Sequence, residues 1–198
     1  GVGKTVTALH FLLNGARQGE PGVYASFQED PNQLAQTARN FGHSPDTLVA
    51  EKHLLMLYTS PVDLNIDEYA AKLVQAVRSV NARRLVIDSV NDLSAAAYGD
   101  DRRFFDYMYS LVQWFKNRGI TTMLTSEMGE MFANELTLTG RGVSHIADNL
   151  LMLRYTELAG EIRRALTVLA ARGSDHSKKV YEYLISEVER FYSLSLRL

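Results

Sequence analysis

The sequence predicts an α/β fold: a mostly parallel central sheet with helices on both faces, then antiparallel strands towards the C-terminal end. Three observations predict it. Short apolar runs alternate with helical periodicities from the start of the chain to about Ser126. Glycine, proline and aspartate punctuate them. From Asn149 onward the helical period gives way to strand-like runs with short connections.

The elements follow in order. The chain opens Gly1-Val2-Gly3-Lys4-Thr5, and Val6, Leu9, Leu12, Leu13 and Ala16 then recur at helical spacing up to Gly19. Residues 22–27 read as a buried strand. Asp30 before Pro31 reads as a helix cap with proline in the first turn, and that helix runs through Leu34, Ala38 and Phe41 to Gly42. A short helix near 45–51 leads to a strand at 54–59. Residues 67–80 form an amphipathic helix with Tyr69, Leu73, Ala76 and Val77 on one face. Arg84–Asp88 is an apolar run ending in a carboxylate. A long helix at 101–118 carries Trp114, and 120–126 is the next strand. Strands are then expected at 149–155, 163–172, 180–185 and 191–198, the first two joined through 157–161.

Composition bounds the function. A chain of 198 residues suits one domain with a real core, and the expectation is a single ATPase-type domain over 1–198 that enters its first motif part-way through. No run approaches the roughly 18 apolar residues of a membrane span, so no membrane partner is expected. There are no cysteines, which excludes disulfides and thiolate metal sites and suits a cytoplasmic location. The net charge is −2, and Lys and Arg are scattered in short pairs. Nucleic-acid binding needs clustered cations, so it is not expected.

The opening motif carries the first chemistry. Gly3-Lys4-Thr5 followed at once by a helix matches the end of the P-loop pattern G-x-x-x-x-G-K-[ST]. Main-chain amides of Gly1, Val2 and Gly3 would cradle phosphate oxygens at the helix N-terminus. Lys4 would reach the β- and γ-phosphates, and Thr5 would ligate Mg²⁺. ATP and Mg²⁺ are therefore the expected cofactors.

Asp88 ends an apolar strand at the sheet edge where open α/β folds bind ligands. It reads as a Walker B metal ligand, with helix capping as the alternative. Glu29 follows a strand expected to neighbour the P-loop strand. There it would orient or deprotonate an attacking water; the plainer use, favouring a helix N-terminus, suits Asp30 better. Thr125-Ser126-Glu127 reads either as a γ-phosphate sensor or as a strand cap. Arg172, at the end of an apolar strand, reads either as an arginine supplied to a neighbouring subunit or as a surface residue.

Taken together, these residues resemble the KaiC-like ATPases of the RecA superfamily. The resemblance rests on Phe27-Gln28-Glu29-Asp30-Pro31, Ala38-Arg39-Asn40-Phe41-Gly42, Ile87-Asp88-Ser89, and the run from Arg163-Arg164 to Arg172-Gly173-Ser174-Asp175-His176-Ser177-Lys178. The later part looks more like the second KaiC repeat than the first. The resemblance implies a RecA-like fold and a hexameric ring with ATP at subunit interfaces. It implies that Arg172, His176 and Lys178 reach a neighbour's nucleotide and that Phe41 lies near the adenine. It also implies slow hydrolysis by paired glutamates and self-phosphorylation in the second repeat. The sequence departs in three places. Gln28 replaces the first glutamate of the pair, Ala170 replaces a trans-acting lysine, and His145 replaces the threonine beside the serine matched by Ser144. The expected function is thus an ATP-binding, slowly hydrolysing, nucleotide-regulated signalling domain with weak serine autokinase activity. A DNA-dependent RecA-type ATPase and a non-catalytic ATP-binding scaffold share the same core motifs.

Overall fold

The first helix begins on a glycine whose backbone conformation strains any other residue. Gly3 is left-handed (φ 95°), and a Cβ placed there would lie 2.5 Å from Ile185 Cδ1. A Cβ would thus also displace the Ile185 side-chain tip. Helix α1 (Lys4–Arg17) follows and buries Ala8, Leu9, Leu12, Leu13 and Ala16. In this computed structural model the described residues are 1–95, 101–127, 146–185 and 193–195.

Strand β1 (Gly22–Ser26) is buried along its whole length. Asp30 caps α2 (Pro31–Asn40): its carboxylate accepts from the Asn32 and Gln33 amides, and Gln33 returns a bond to the Asp30 amide. A capping box of this kind contributes about 1 kcal/mol. Gly42, in a left-handed turn, ends the segment as expected. Helix α3 (Pro45–Ala50) and strand β2 (Leu54–Tyr58) come next. Helix α4 (Ile66–Ser79) starts one residue earlier than the periodicity suggests, because the Asn65 side chain accepts from the Asp67 and Glu68 amides. Strand β3 is Arg84–Asp88, α6 is Asp101–Lys116 and β4 is Thr121–Leu124. Between β3 and α6 lies α5 (Val90–Ala95), absent from the sequence reading. Six residues are too few to show a helical period.

Strands β2-β1-β3-β4 form one parallel sheet in that order. The alternation of side chains sorts its two faces. Val23, Ala25, Phe27, Leu85 and Ile87 pack with Leu73 and Val77 of α4 and Met108 and Phe115 of α6. Tyr24, Leu54 and Val86 pack with α1 and α2. The sheet is therefore covered on both sides, and its fully buried strands read as continuous apolar runs.

One placement differs from expectation. Both edges of β1 are occupied, by β2 and β3, so the strand that leads to Glu29 cannot also neighbour a P-loop strand. It borders the strand of Asp88 instead.

The second sheet is antiparallel, in the order β5 (Asn149–Leu158), β6 (Glu161–Ala171), β7 (Val180–Tyr183), β8 (Ser193–Ser195). The β5–β6 hairpin is longer than the sequence suggests. Its two-residue turn, Ala159-Gly160, has positive φ at both positions (53° and 80°), so pairing continues up to the turn.

Candidate functional site

The strand parity that builds the α1-side core also builds the site. Ser26 pairs in register with Asp88, and Tyr24 with Val86, so Tyr24, Ser26 and Asp88 share the α1 face. Thr125 continues β4 alongside, its amide donating to the Ile87 carbonyl at 3.1 Å. The C-terminal ends of β1, β3 and β4 thus meet the first turn of α1. The Thr5 hydroxyl donates to Asp88 Oδ2 at 3.1 Å. Two residues from regions of sequence 83 positions apart, each expected to hold Mg²⁺, are in hydrogen-bond contact.

Asp88 is gripped from the sheet as well. The Tyr24 hydroxyl donates to Oδ2 at 2.6 Å, and the Thr125 hydroxyl donates a very short bond to Oδ1. Burial first, and then the Asp88 charge, push the Tyr24 phenol far up, so it stays a donor at any ordinary pH. The peptide after Asp88 is cis.

Glu29 stands past the end of β1. Its amide donates to Ser26 Oγ at 3.0 Å, which sets the turn. Burial, followed by repulsion from Asp88, raises its carboxyl above the ordinary glutamate range. Its Oε2 is buried without a hydrogen-bond partner. A buried, unpartnered carboxylate oxygen is costly and needs a partner such as a water or a ligand proton.

Lys4 Nζ is 3.2 Å from Glu127 Oε1, and the Glu127 side chain is 70% exposed. An ion pair so open to solvent is worth about 0–1 kcal/mol and yields easily to a polyphosphate. Glu127 is positioned by α5. Asn91 Oδ1 accepts from the Glu127 amide at 2.8 Å and the Ser126 hydroxyl at 3.1 Å, while Asn91 Nδ2 donates to the Glu127 carbonyl at 3.2 Å. Asp92 accepts from Gln28 Nε2 at 3.2 Å and from the Ser89 hydroxyl at 2.5 Å. The short helix missed in the sequence is therefore the clasp that joins the ends of β1, β3 and β4.

The P-loop is braced from the other sheet. The Tyr183 hydroxyl donates a very short bond to the Val2 carbonyl, and Ile185 closes on Gly3.

The remaining expected residues lie elsewhere. Phe41 is the half-buried C-cap of α2. Arg172 lies just past β6, with its amide on the Asp148 carbonyl at 2.8 Å and its guanidinium 3.9 Å from the Asp148 carboxylate. Lys116 holds that same carboxylate at 2.7 Å, and its hydrogen bond leads the causes that keep Asp148 below its ordinary range. His176 and Lys178 occupy the loop between β6 and β7, His176 half-buried and Lys178 exposed. No bond from any of the three to Lys4, Thr5, Glu29 or Asp88 occurs among the described residues. Ser144 and His145 lie outside the described residues. The Thr125 hydroxyl, in the segment read as a phosphate sensor or strand cap, binds Asp88.

Tyr24, Asn91 and Asp92 escaped the sequence reading. A signal for Tyr24 existed: a tyrosine inside an otherwise aliphatic buried strand requires a polar partner. His10 and His43, given no role from sequence, form a close edge-on pair with ring nitrogens 3.2 Å apart. Among the described residues no helix is long and apolar enough to cross a membrane, and no group of three His, Cys, Asp or Glu residues could hold a metal.

A parallel sheet whose strand ends bring a Gly-Lys-Thr helix start against a strand-end aspartate defines a RecA-like P-loop NTPase domain. A family model described as "ATPase: KaiC" matches residues 1–191. The chain belongs to the KaiC ATPase family. It is 30% identical over 188 residues to the circadian clock oscillator protein KaiC of Picosynechococcus, covering 94% of this chain and 36% of that protein. It is 31% identical over 202 residues to a UPF0273 protein of Pyrococcus furiosus, covering 94% of this chain and 79% of that one. A KaiC3 protein of Synechocystis is 27% identical over 185 residues, with 93% and 36% covered. The chain thus spans little more than a third of the cyanobacterial proteins and most of the archaeal one.

Proposed function

We propose that this chain binds ATP with Mg²⁺ at the α1 N-terminus, hydrolyses it slowly, and works as a nucleotide-regulated module of a homo-oligomeric ring. The observation that carries the reading is the 3.1 Å contact between Thr5 and Asp88, with Glu29 sharing their field. The donor set fits the metal: a hydroxyl and a carboxylate are the hard oxygen ligands Mg²⁺ takes beside phosphate oxygens. Thr5 and Asp88 would hold it, and when bound it would neutralise charge on the phosphates.

The chain's own residues do the rest. Main-chain amides around Gly1, Val2 and Gly3 bind phosphate oxygens. Lys4 leaves Glu127 for the phosphates. Glu29 takes a proton from the attacking water at its unpartnered Oε2. Gln28, held by Asp92, is a neutral amide and cannot share the proton, which accounts for slow turnover. Arg172, His176 and Lys178 serve a neighbour's nucleotide, and Phe41 lines the base side.

Calorimetric titration with ATP and Mg²⁺, paired with phosphate-release assays, tests this. Binding is expected in the wild type. Glu29→Gln should keep binding and lose about 10²–10⁴-fold in turnover, the range of a positioned general base. A wild type with no ATP affinity, or a Glu29→Gln variant with full turnover, overturns the proposal.

A further inference from the structure

We infer that Tyr24 is a positioning residue, whose phenol sets the orientation of the Asp88 carboxylate towards the nucleotide's metal ion. The inference rests on the Mg²⁺–ATP reading of the site and assigns one more residue to it.

Packing alone would be served by phenylalanine. The Tyr24 ring is 0% exposed and belongs to the cluster of Leu9, Leu12, Leu13 and Leu34. A hydroxyl in such a place is costly unless bonded. Here it is bonded, to the carboxylate Oδ2 at 2.6 Å, a charge-assisted distance.

Reach explains why the residue is tyrosine. Position 24 is level with Val86, two residues before Asp88 on the neighbouring strand. That step is roughly 6.6 Å along a parallel strand. Serine or threonine would fall short. A tyrosine leaning towards the sheet's C-terminal edge spans it, and its two torsions are fixed by the core around it.

The pattern of donors gives the consequence. Asp88 Oδ2 receives Tyr24 and Thr5, while Oδ1 receives Thr125. Thr5 belongs to the P-loop helix, and its oxygen is itself a proposed metal ligand. Tyr24 and Thr125 come from the sheet, one on each carboxylate oxygen. Together they fix rotation of the carboxylate about its last bond, leaving its remaining lone pairs for the α1 side.

Tyr24→Phe removes one oxygen and keeps the ring. Three measurements on the purified chain separate the possibilities: the thermal midpoint, ATP affinity in EDTA, and the Mg²⁺ concentration giving half-maximal enhancement of ATP binding. The variant should bind ATP in EDTA as the wild type does, while its Mg²⁺ midpoint rises about tenfold, the loss expected when a group orienting a metal ligand is removed. Thr125→Val, which strips the other carboxylate oxygen of its donor, should shift the midpoint in the same direction and supports the inference even if Tyr24→Phe proves unstable. An unchanged Mg²⁺ midpoint in a folded Tyr24→Phe overturns it, leaving the phenol a core group only. A wild type whose ATP affinity ignores Mg²⁺ overturns the underlying reading, and this inference with it.

Discussion

Glu29 illustrates how one side chain's surroundings set a measurable property. Its carboxyl is raised by burial and by Asp88. As a base it works only when ionised, so phosphate release should rise with pH along a limb above the ordinary glutamate range. Glu29→Gln should abolish that limb along with the activity. Stability runs the opposite way. A folded carboxyl with a raised pKa binds its proton more tightly than the unfolded one, so the native state loses stability as pH climbs from the unfolded value through the folded one. Thermal melts should therefore show Glu29→Gln gaining on the wild type at neutral pH, with the gain fading in acid. A pH–rate limb at the position of a free glutamate, or no difference between the melts, contradicts this assignment. A base at Glu29 would thus be poised at a cost in stability, a pattern common at functional sites.

Helix against strand is where the fold is most constrained, and the α1–β1 contact shows it. A Cβ on Gly22 would lie 2.7 Å from Leu12 Cδ2, with no backbone strain at Gly22 to complicate the comparison. Gly22→Ala should cost about 1–3 kcal/mol as overpacking. Leu12→Ala should cost about 2–5 kcal/mol, because Leu12 is 0% exposed. The double variant should cost clearly less than the sum, since the added methyl fills space the leucine leaves. Chemical denaturation of the four proteins measures the coupling, and additive costs would show that the contact is not the cause. The same scale explains what could be read from sequence. Elements with long apolar periods or explicit caps (α1, α2, α4 and the β1 and β3 strands) were legible to within a residue or two. Lys4, Thr5, Glu29 and Asp88 could be picked out in the sequence because each sits at a strand or helix end. Helix α5 was not legible, because its role comes from Asn91 and Asp92 bonding to segments far away in sequence. Nor was the neighbour of β1, since strand order depends on pairing that no local pattern encodes. Tyr24 lay between these cases, visible as an odd polar group in a buried strand but without a named partner.

At the level of the whole molecule the site looks unfinished on one side. Lys4 and Thr5 of α1 meet Glu29, Asp88 and Tyr24 at the edge of the parallel sheet, while Arg172 and Lys178 lie in the antiparallel part with no bond to any of them among the described residues. The Arg172 side chain is 62% exposed and lies 3.9 Å from the Asp148 carboxylate, which Lys116 also holds. An ion pair this long and this exposed contributes about 0–1 kcal/mol. Action in trans, as proposed for Arg172, is a role in which an arginine is worth about 10³–10⁵ in turnover. The expected outcome is specific. Turnover per chain should increase with protein concentration as native mass spectrometry shows ATP–Mg²⁺-dependent assembly. Arg172→Ala should keep ATP affinity and thermal stability close to wild type but lose the concentration-dependent part of turnover. Mixing Arg172→Ala, which lacks the concentration-dependent part, with the nearly inactive Glu29→Gln should restore concentration-dependent turnover, because some interfaces then pair an intact Glu29 with a neighbour's intact Arg172. Turnover that is independent of concentration, or a mixture that stays inactive while assembling normally, would place Arg172 outside the reaction.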